Sequence, residues 1–250
     1  MTQRTNTYFI SDIHLGAGYI TNRKAHEKKL VKWLRSIAPT AKAIYLLGDI
    51  LDYWYEYRTV VPRGYVRFFG VLAELADQGV AITWLKGNHD IWIFDYLPNE
   101  IGLTVADGIV RKEIDGKIFV MEHGDGIGEP QALYRSMRWL FRNRIAQFFY
   151  SAIHPRWTVG FAHNWSKHSR LNATNNIPST IANDDSIIKF TQEYSEKNGH
   201  VDYFIFGHRH IVENKEISTE SRLIMLGDAF QQMTYGVWNG LSFEINKISE

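Results

Sequence analysis

Acidic, amide and imidazole side chains recur in five short motifs, each directly after a short apolar run that could form a strand. Carboxylate, amide and imidazole groups together suit divalent Mn, Fe, Zn or Co, and two such ions about 3.5 to 4 Å apart can activate water for phosphoryl transfer. A single motif of this kind is common turn chemistry. Five in a fixed order predict a two-metal site. They are Asp12-Ile13-His14, Gly48-Asp49 with Asp52, Gly87-Asn88-His89-Asp90, Glu122-His123-Gly124-Asp125 and Gly207-His208-Arg209-His210.

The apolar runs before these motifs are short and continuous, which is typical of strands buried on both faces. They lie at 8–10, 43–47, 80–85, 118–121 and 203–206. Amphipathic periodicity predicts helices at 24–37 and 65–77, while 109–120 is typical of a hairpin and 223–245 of two or three further strands. The order predicts an α/β fold, a mixed αββα sandwich. In open α/β sheets, ligands bind beyond the carboxyl ends of the strands, where all five motifs fall.

The spacing of the motifs indicates an insertion. The motif anchors are separated by 37, 39 and 35 residues in the order Asp12, Asp49, Asn88 and His123. The next anchor, His208, follows His123 only after 85 residues. The excess contains 54 residues without Asp or Glu, which carry seven Lys or Arg and nine aromatic residues. We predict one domain, 1–250, with an inserted helical lid at 131–170.

Composition narrows the class of protein. Hydrophobic residues make up 45% of the 250 residues, enough for a sizeable core, and the lack of Cys excludes disulfides and thiolate metal sites. Because the N-terminus is polar, we expect no secretory signal. Because the sequence has no run of about 18 apolar residues, we expect no membrane-spanning helix. A net charge of +1 argues against an extended nucleic-acid track.

The ordered motifs resemble those of the calcineurin-like metallophosphoesterases over nearly the whole chain. The resemblance implies that two divalent ions are bound, with hydroxide bridging them as the nucleophile, and manganese is the expected metal, with zinc or iron as alternatives. It implies one ion on Asp12, His14 and His210 and another on Asn88, His123 and His208, with Asp49 bridging both.

The resemblance also assigns proton chemistry to His89, which would stabilise charge or protonate the leaving oxygen, and to Asp52, which would orient that ring through its carboxylate. Asp90 and Asp125 could either cap the following segments or touch a ligand. The five other histidines are predicted to lie on the surface or in the lid: His26, His154, His163, His168 and His200.

Further stretches resemble one branch, the UDP-2,3-diacylglucosamine hydrolases of lipid A synthesis. These are 48–54, 123–125, Tyr134 followed by Arg138, 226–228 and 234–235. The resemblance implies a lipid-linked nucleotide substrate whose pyrophosphate bond is hydrolysed, acyl chains under the insertion, and substrate contacts from Asn88, Tyr134 and Arg138. The basic, aromatic lid suits an anionic membrane surface, so we expect a cytoplasmic protein, peripheral on the inner face of the cytoplasmic membrane.

One position departs from that branch, because its members usually carry Arg after the metal-ligand Asn and this chain has His89. A soluble nucleotide pyrophosphatase or phosphodiesterase of the same superfamily is therefore the alternative. A non-enzymatic scaffold should have lost ligands, whereas all seven positions hold competent side chains. The sequence does not indicate the oligomeric state.

Overall fold

The computed structural model describes residues 4–127, 132–158, 160 and 180–249. Helices and strands alternate up to β4, and five of the strands follow residue 200. In chain order the elements are β1 (Asn6–Ile10), α1 (Arg23–Ile37), β2 (Ala41–Leu47), α2 (Val66–Asp77), β3 (Ala81–Leu85), α3 (Tyr96–Ile101), β4 (Thr104–Ala106), β5 (Val110–Ile114), β6 (Lys117–Glu122), α4 (Ala132–Arg142), α5 (Arg144–Ser151), α6 (Ser186–Asn198), β7 (Tyr203–Phe206), β8 (Val212–Ser218), β9 (Ser221–Leu226), β10 (Thr234–Trp238) and β11 (Phe243–Lys247).

The strands form two mixed sheets. The first has the order β11-β10-β1-β2-β3-β4, in which β1 to β4 are parallel and β10 and β11 pair antiparallel at one side. The second has the order β5-β6-β7-β9-β8, with β6, β7 and β9 parallel and antiparallel strands at both edges. Parallel neighbours end at the same edge of a sheet, so β1, β2 and β3 deliver their following loops side by side.

Three apolar clusters separate the layers. Between the sheets, Phe9 of the first sheet stacks on Phe119 of the second at a ring-centroid distance of 5.9 Å. The outer face of the first sheet packs on α1 and α2, and the outer face of the second packs on α6. The order is helix, sheet, sheet, helix, so the predicted αββα class is confirmed.

Helix boundaries follow local chemistry. The side chain of Asn22 accepts a hydrogen bond from the amide of Ala25 at 3.0 Å and caps α1, whose buried face includes Leu30 and Leu34. At α6, the Asp185 carboxylate accepts from the amide of Ile187 at 2.8 Å. Gly79 ends α2 with φ of +83°, a left-handed conformation that glycine adopts without a Cβ clash.

Most of the predicted elements are present within a residue or two, and the predicted hairpin is the antiparallel pair β5 and β6. The sequence patterns did not reveal β8, because it is an edge strand that alternates exposed and half-exposed residues. Of the predicted lid, 131, 159 and 161–170 lie outside the described residues. None of the helices that the structure describes is long and apolar enough to span a bilayer.

Candidate metal centre

The predicted ligands stand on loops at the carboxyl ends of five strands. Asp12, Asp49 and Asn88 follow the parallel neighbours β1, β2 and β3, while His123 and His208 follow β6 and β7. Because the two sheets pack face to face, these loops meet at one edge of the sandwich. All seven predicted ligands except Asn88 lie in two compact groups of carboxylate and imidazole atoms, and Asn88 contacts the second. A third group joins His14 and Asp49 of these to His89.

The backbone at these loops is unusual. Five of the seven predicted ligands have positive φ, at Asp12 51°, His14 49°, Asp49 53°, His208 64° and His210 54°. Outside glycine such residues are uncommon, and those that occur are enriched in Asn, Asp and His. Each costs about 1–3 kcal/mol and persists where the surrounding structure fixes it, most often at functional sites.

Glycines let these loops approach one another. A Cβ on Gly87 would collide with the backbone and carboxylate of Asp49, and one on Gly207 would stand 2.5 Å from Asp12 Oδ2. The glycine before Asn88 and the glycine before His208 are therefore required by space, which explains why both motifs begin with this residue.

The first group consists of Asp12, His14 and His210. His210 Nε2 lies 3.4 Å from Asp12 Oδ1, and His14 Nε2 lies 3.8 Å from the same oxygen and 3.8 Å from Asp49 Oδ2. Asp12 Oδ1 and His14 Nε2 are buried and have no hydrogen-bond partner among the described residues. Buried polar atoms are normally paired, so unpaired atoms that converge in this way fit a metal ion.

The second group consists of Asp49, Asn88, His123 and His208. His123 Nε2 lies 3.3 Å from Asp49 Oδ2 and 3.2 Å from Asn88 Oδ1. His123 Nδ1 donates to the Leu47 carbonyl at 2.8 Å, so in a neutral ring Nε2 carries the lone pair. Burial opposes protonation of this ring, but the Asp49 carboxylate outweighs it and raises the pKa of His123 well above its usual value. A positive charge is therefore favoured where Nε2 meets the two oxygens, and a proton or a bound cation would supply it.

The spacing of these atoms also fits. Bonds of about 2.1 Å in a tetrahedral site place neighbouring ligand atoms about 3.4 Å apart. The distances of 3.2 to 3.8 Å in both groups bracket that value. Asp49 Oδ2 contacts members of both groups, which is the position of a bridging ligand.

Electrostatics favour neutral imidazoles at two ligands. Burial lowers the pKa of His14, and burial, assisted by His123, lowers the pKa of His208 to about 4. Burial opposes ionisation of Asp49, but the rings of His123 and His89 outweigh it and hold the pKa of this carboxyl well below its usual value. At neutral pH the centre thus combines an ionised Asp49 carboxylate with neutral rings at His14 and His208.

His89 lies beside the metal groups with its side chain 21% exposed. Its Nδ1 donates to the Asp52 carbonyl at 2.8 Å, and its Nε2 lies 3.9 Å from Asp49 Oδ2. Burial opposes protonation, yet the carboxylates of Asp49 and Asp52 raise the pKa of this ring. The predicted orientation by Asp52 runs through its backbone carbonyl, while its carboxylate lies 3.8 Å from the Nδ1 atoms of both His89 and His14.

Asp90 is a buried clamp between two site loops. Its carboxylate accepts from the amides of Gly87 and Ile50, both at 2.8 Å, and from Trp84 Nε1 at 3.2 Å. It holds the loop of Asp49 against the loop of Asn88, and its donors among the described residues all precede it in the chain, so it does not act as the predicted cap of the following segment. Its position directly after the Asn-His pair gave no signal of this cross-loop contact.

Two further residues have roles that sequence reasoning did not assign. The prediction that His26 lies on the surface is wrong, because it is 8% exposed and its Nε2 donates to the carbonyl of Ile13 at 3.0 Å. His26 therefore ties α1 to the loop of Asp12 and His14. Asp228 is 1% exposed and its Oδ2 lies 3.5 Å from His210 Nδ1.

Helices α4 and α5 contact the loops around the centre. Arg138 Nε donates to the Asp125 carboxylate at 3.0 Å, two residues after His123. On the other side, the hydroxyls of Tyr53 and Tyr150 are 3.1 Å apart. Further hydrogen bonds join Tyr55 to the Gln147 carbonyl at 2.7 Å and Trp92 to the Phe141 carbonyl at 2.8 Å. The side chain of Tyr134 lies outside the described part of the structure.

Comparisons with known proteins agree with this geometry. The sequence model of the family described as calcineurin-like phosphoesterase matches residues 5–212, and the chain belongs to this family. A UDP-2,3-diacylglucosamine hydrolase from Porphyromonas gingivalis is 41% identical over 261 aligned positions, which cover 99% of each chain. A protein of the same name from Stenotrophomonas maltophilia is 26% identical over 234 positions, 90% of this chain and 92% of that one.

Solved structures of similar architecture are more distant. A dimetal phosphatase from Danio rerio superposes with a TM-score of 0.46 at 14% identity, covering 98% of this chain and 99% of the other. The phosphoesterase Yfce from E. coli gives a TM-score of 0.45 at 14% identity, covering 98% and 93%.

Proposed function

We propose that this protein hydrolyses the pyrophosphate bond of UDP-2,3-diacylglucosamine, giving UMP and 2,3-diacylglucosamine 1-phosphate. The observation that carries the proposal is the 41% identity with a hydrolase named for this substrate over 99% of both chains. Family membership alone would not name a substrate, because one fold hosts many functions. The buried carboxylate and imidazole groups supply the chemistry that such a reaction needs.

Two divalent ions, when bound, would supply Lewis acidity and an activated water to the diphosphate. We assign the first to Asp12, His14 and His210, the second to Asn88, His123 and His208, and the bridging position to Asp49. Manganese is our proposed metal. One oxygen of each carboxylate is held by a backbone amide, Asp12 Oδ2 by His208 at 2.9 Å and Asp49 Oδ1 by His89 at 2.9 Å. The other oxygen of each is thereby directed at the ions.

His89 would supply the proton. Its Nδ1 is occupied by the Asp52 carbonyl, so Nε2 faces the centre and can protonate the leaving phosphate oxygen. Burial opposes protonation, but the carboxylates of Asp49 and Asp52 raise the pKa of this ring, which favours its protonated form. We propose Asp52 as the residue that orients this ring, with substrate contacts from Asn88, Tyr134 and Arg138.

Incubation of the purified protein with Mn²⁺ and UDP-2,3-diacylglucosamine, with UMP measured by chromatography, tests the proposal. We expect UMP release that stops when Asp49 is replaced by Ala. Absence of UMP alongside turnover of UDP-sugars or simple phosphodiesters would instead support a soluble nucleotide pyrophosphatase or phosphodiesterase. Metal analysis of protein purified without added metal distinguishes manganese from zinc or iron.

We further propose that α4 and α5 dock on the inner face of the cytoplasmic membrane. Their exposed side includes Trp139, Ile145, Phe148 and Phe149, which are 66 to 71% exposed. Arg144 is exposed beside them, and the 54 residues from 130 to 183 contain no carboxylate. Aromatic rings with arginine suit an interface of anionic lipids.

Sedimentation with anionic liposomes tests this docking. Phe148→Ser and Arg144→Glu should each reduce the bound fraction, and neither residue contacts the metal groups. Leu241→Ser is the matched control, since Leu241 is 90% exposed on the turn between β10 and β11. Equal loss of binding in all three variants, or no loss in any, would contradict docking through α4 and α5.

A further inference from the structure

The ring of His210 lies between two carboxylates. Its Nε2 is 3.4 Å from Asp12 Oδ1, and its Nδ1 is 3.5 Å from Asp228 Oδ2. Both His210 Nδ1 and Asp228 Oδ2 are buried, and neither has another hydrogen-bond partner within the described residues. These two atoms face each other, and a shift of about 0.3 to 0.7 Å would bring them to hydrogen-bond distance, about 2.8 to 3.2 Å.

The other oxygen of Asp228 is fixed in place. Its Oδ1 accepts from the backbone amides of Phe230 at 3.2 Å, Gln231 at 2.7 Å and Gln232 at 3.0 Å. The side chain of Gln232 in turn donates to the His210 carbonyl at 2.6 Å. The three amides therefore set the orientation of the carboxylate, and Oδ2 is the oxygen directed at the imidazole.

We propose that Asp228 is a positioning residue that holds the proton of His210 on Nδ1 and so leaves the lone pair of Nε2 for the metal. A ligand histidine whose second nitrogen donates to a carboxylate has a fixed tautomer and a more basic lone pair. At His123 the same task falls to the uncharged Leu47 carbonyl, 2.8 Å from Nδ1. The inference rests on the metal centre of the proposed function and does not depend on the substrate.

Asp228→Asn is the informative variant because the amide clamp dictates its orientation. Only the amide oxygen can accept from Phe230, Gln231 and Gln232, so the NH₂ group must take the place of Oδ2. A donor then faces Nδ1, and the neutral ring of His210 must move its proton to Nε2. A ring protonated at Nε2 cannot bind the ion through that atom.

The tautomer can be read directly by long-range ¹H–¹⁵N NMR of the metal-free protein labelled on histidine, with His210→Gln to assign the signals. We expect a proton on Nδ1 in the wild type and on Nε2 in Asp228→Asn. Equilibrium dialysis against Mn²⁺ with elemental analysis should show two ions per wild-type chain. In the variant, one of the two dissociation constants should rise about 10- to 100-fold, the usual effect of removing such a partner.

Asp202→Asn is the matched control. Asp202 is 9% exposed, and like Asp228 it accepts a hydrogen bond from a backbone amide, that of Ile118 at 2.8 Å. It lies before β7, at the end opposite to His208 and His210. It should leave the tautomer and both affinities unchanged. A wild-type ring protonated at Nε2 would overturn the proposal even if Asp228→Asn did not fold. So would a folded variant with two unchanged affinities, whereas absence of UMP release with the expected tautomers would count only against the proposed substrate.

Discussion

Replacing Asp90 by Ala should destabilise the fold far more than a typical substitution, even though Asp90 is not among the proposed ligands. The carboxylate is fully buried and accepts hydrogen bonds from four backbone amides and one indole. The donors and distances are Gly87 2.8 Å, Ile50 2.8 Å, Asp49 3.3 Å, Leu51 3.4 Å and Trp84 Nε1 3.2 Å. No water can replace an acceptor that sits at the junction of two packed loops unless those loops open.

The magnitude follows from the two shortest contacts. A buried donor that loses its acceptor costs about 1–3 kcal/mol, so Gly87 and Ile50 alone imply about 2–6 kcal/mol. The three longer contacts add less, because hydrogen bonds weaken as distance and angle depart from the optimum. A domain has only about 5–15 kcal/mol of stability in total, so the variant should be close to the limit of folding.

Urea unfolding followed by circular dichroism measures the effect, in EDTA so that metal binding does not contribute. Asp107→Ala is the control, since Asp107 is 48% exposed and pairs with Arg142 at 3.3 Å. A surface pair of this kind contributes about 0–1 kcal/mol. If the free energies of unfolding of Asp90→Ala and Asp107→Ala differ by less than about 1 kcal/mol, the clamp assigned to Asp90 is refuted.

Three further predictions concern single positions. Gly87→Ala would push a Cβ into the Asp49 backbone and carboxylate, so we expect elemental analysis to find fewer than two ions per chain, and a full complement would contradict the close approach. Gly70→Ala lies within α2 with open space around it and should raise the urea midpoint by the equivalent of about 0.5–1 kcal/mol, where a lower midpoint would count against it. His89→Ala should lower kcat by about 10²- to 10⁴-fold with metal content unchanged, whereas loss of an ion would make His89 a ligand.

Sequence patterns could predict where the proposed ligands lie because each motif is coupled to a local signal. A continuous apolar run ends, and a carboxylate, amide or imidazole follows within three residues, with a glycine directly before Asp49, Asn88 and His208. Parallel neighbours must end at the same edge, so finding the strands is enough to bring the loops together. The helices could also be predicted, since the stripe that includes Leu30 and Leu34 repeats with helical spacing.

What the sequence could not supply are contacts between residues far apart in the chain. The carboxylate of Asp90 bonds amides about 40 positions earlier, and Asp228 faces His210 across a turn and two strands. His26 stands on a lysine-rich helix, where a histidine is expected on the surface. One of its ring nitrogens instead donates to the Ile13 carbonyl, and the ring is buried. In each case a polar residue is buried because a distant backbone group satisfies it, and no local pattern encodes the partner.

One arrangement recurs throughout the centre and explains how strained loops hold a fixed geometry. In Asp12, Asp49 and Asp228, one carboxylate oxygen accepts from backbone amides while the other is directed inward. In His89 and His123, Nδ1 donates to a backbone carbonyl and Nε2 is directed inward. Asp12, Asp49, His89 and His123 are thus anchored by the main chain of a different segment, and Asp228 by the main chain of its own loop. The free atom of each has little choice of direction. The left-handed backbone at five proposed ligands costs about 1–3 kcal/mol each. Two of the five, Asp12 and Asp49, also have side chains held by cross-loop bonds, so backbone strain and side-chain direction are fixed together there.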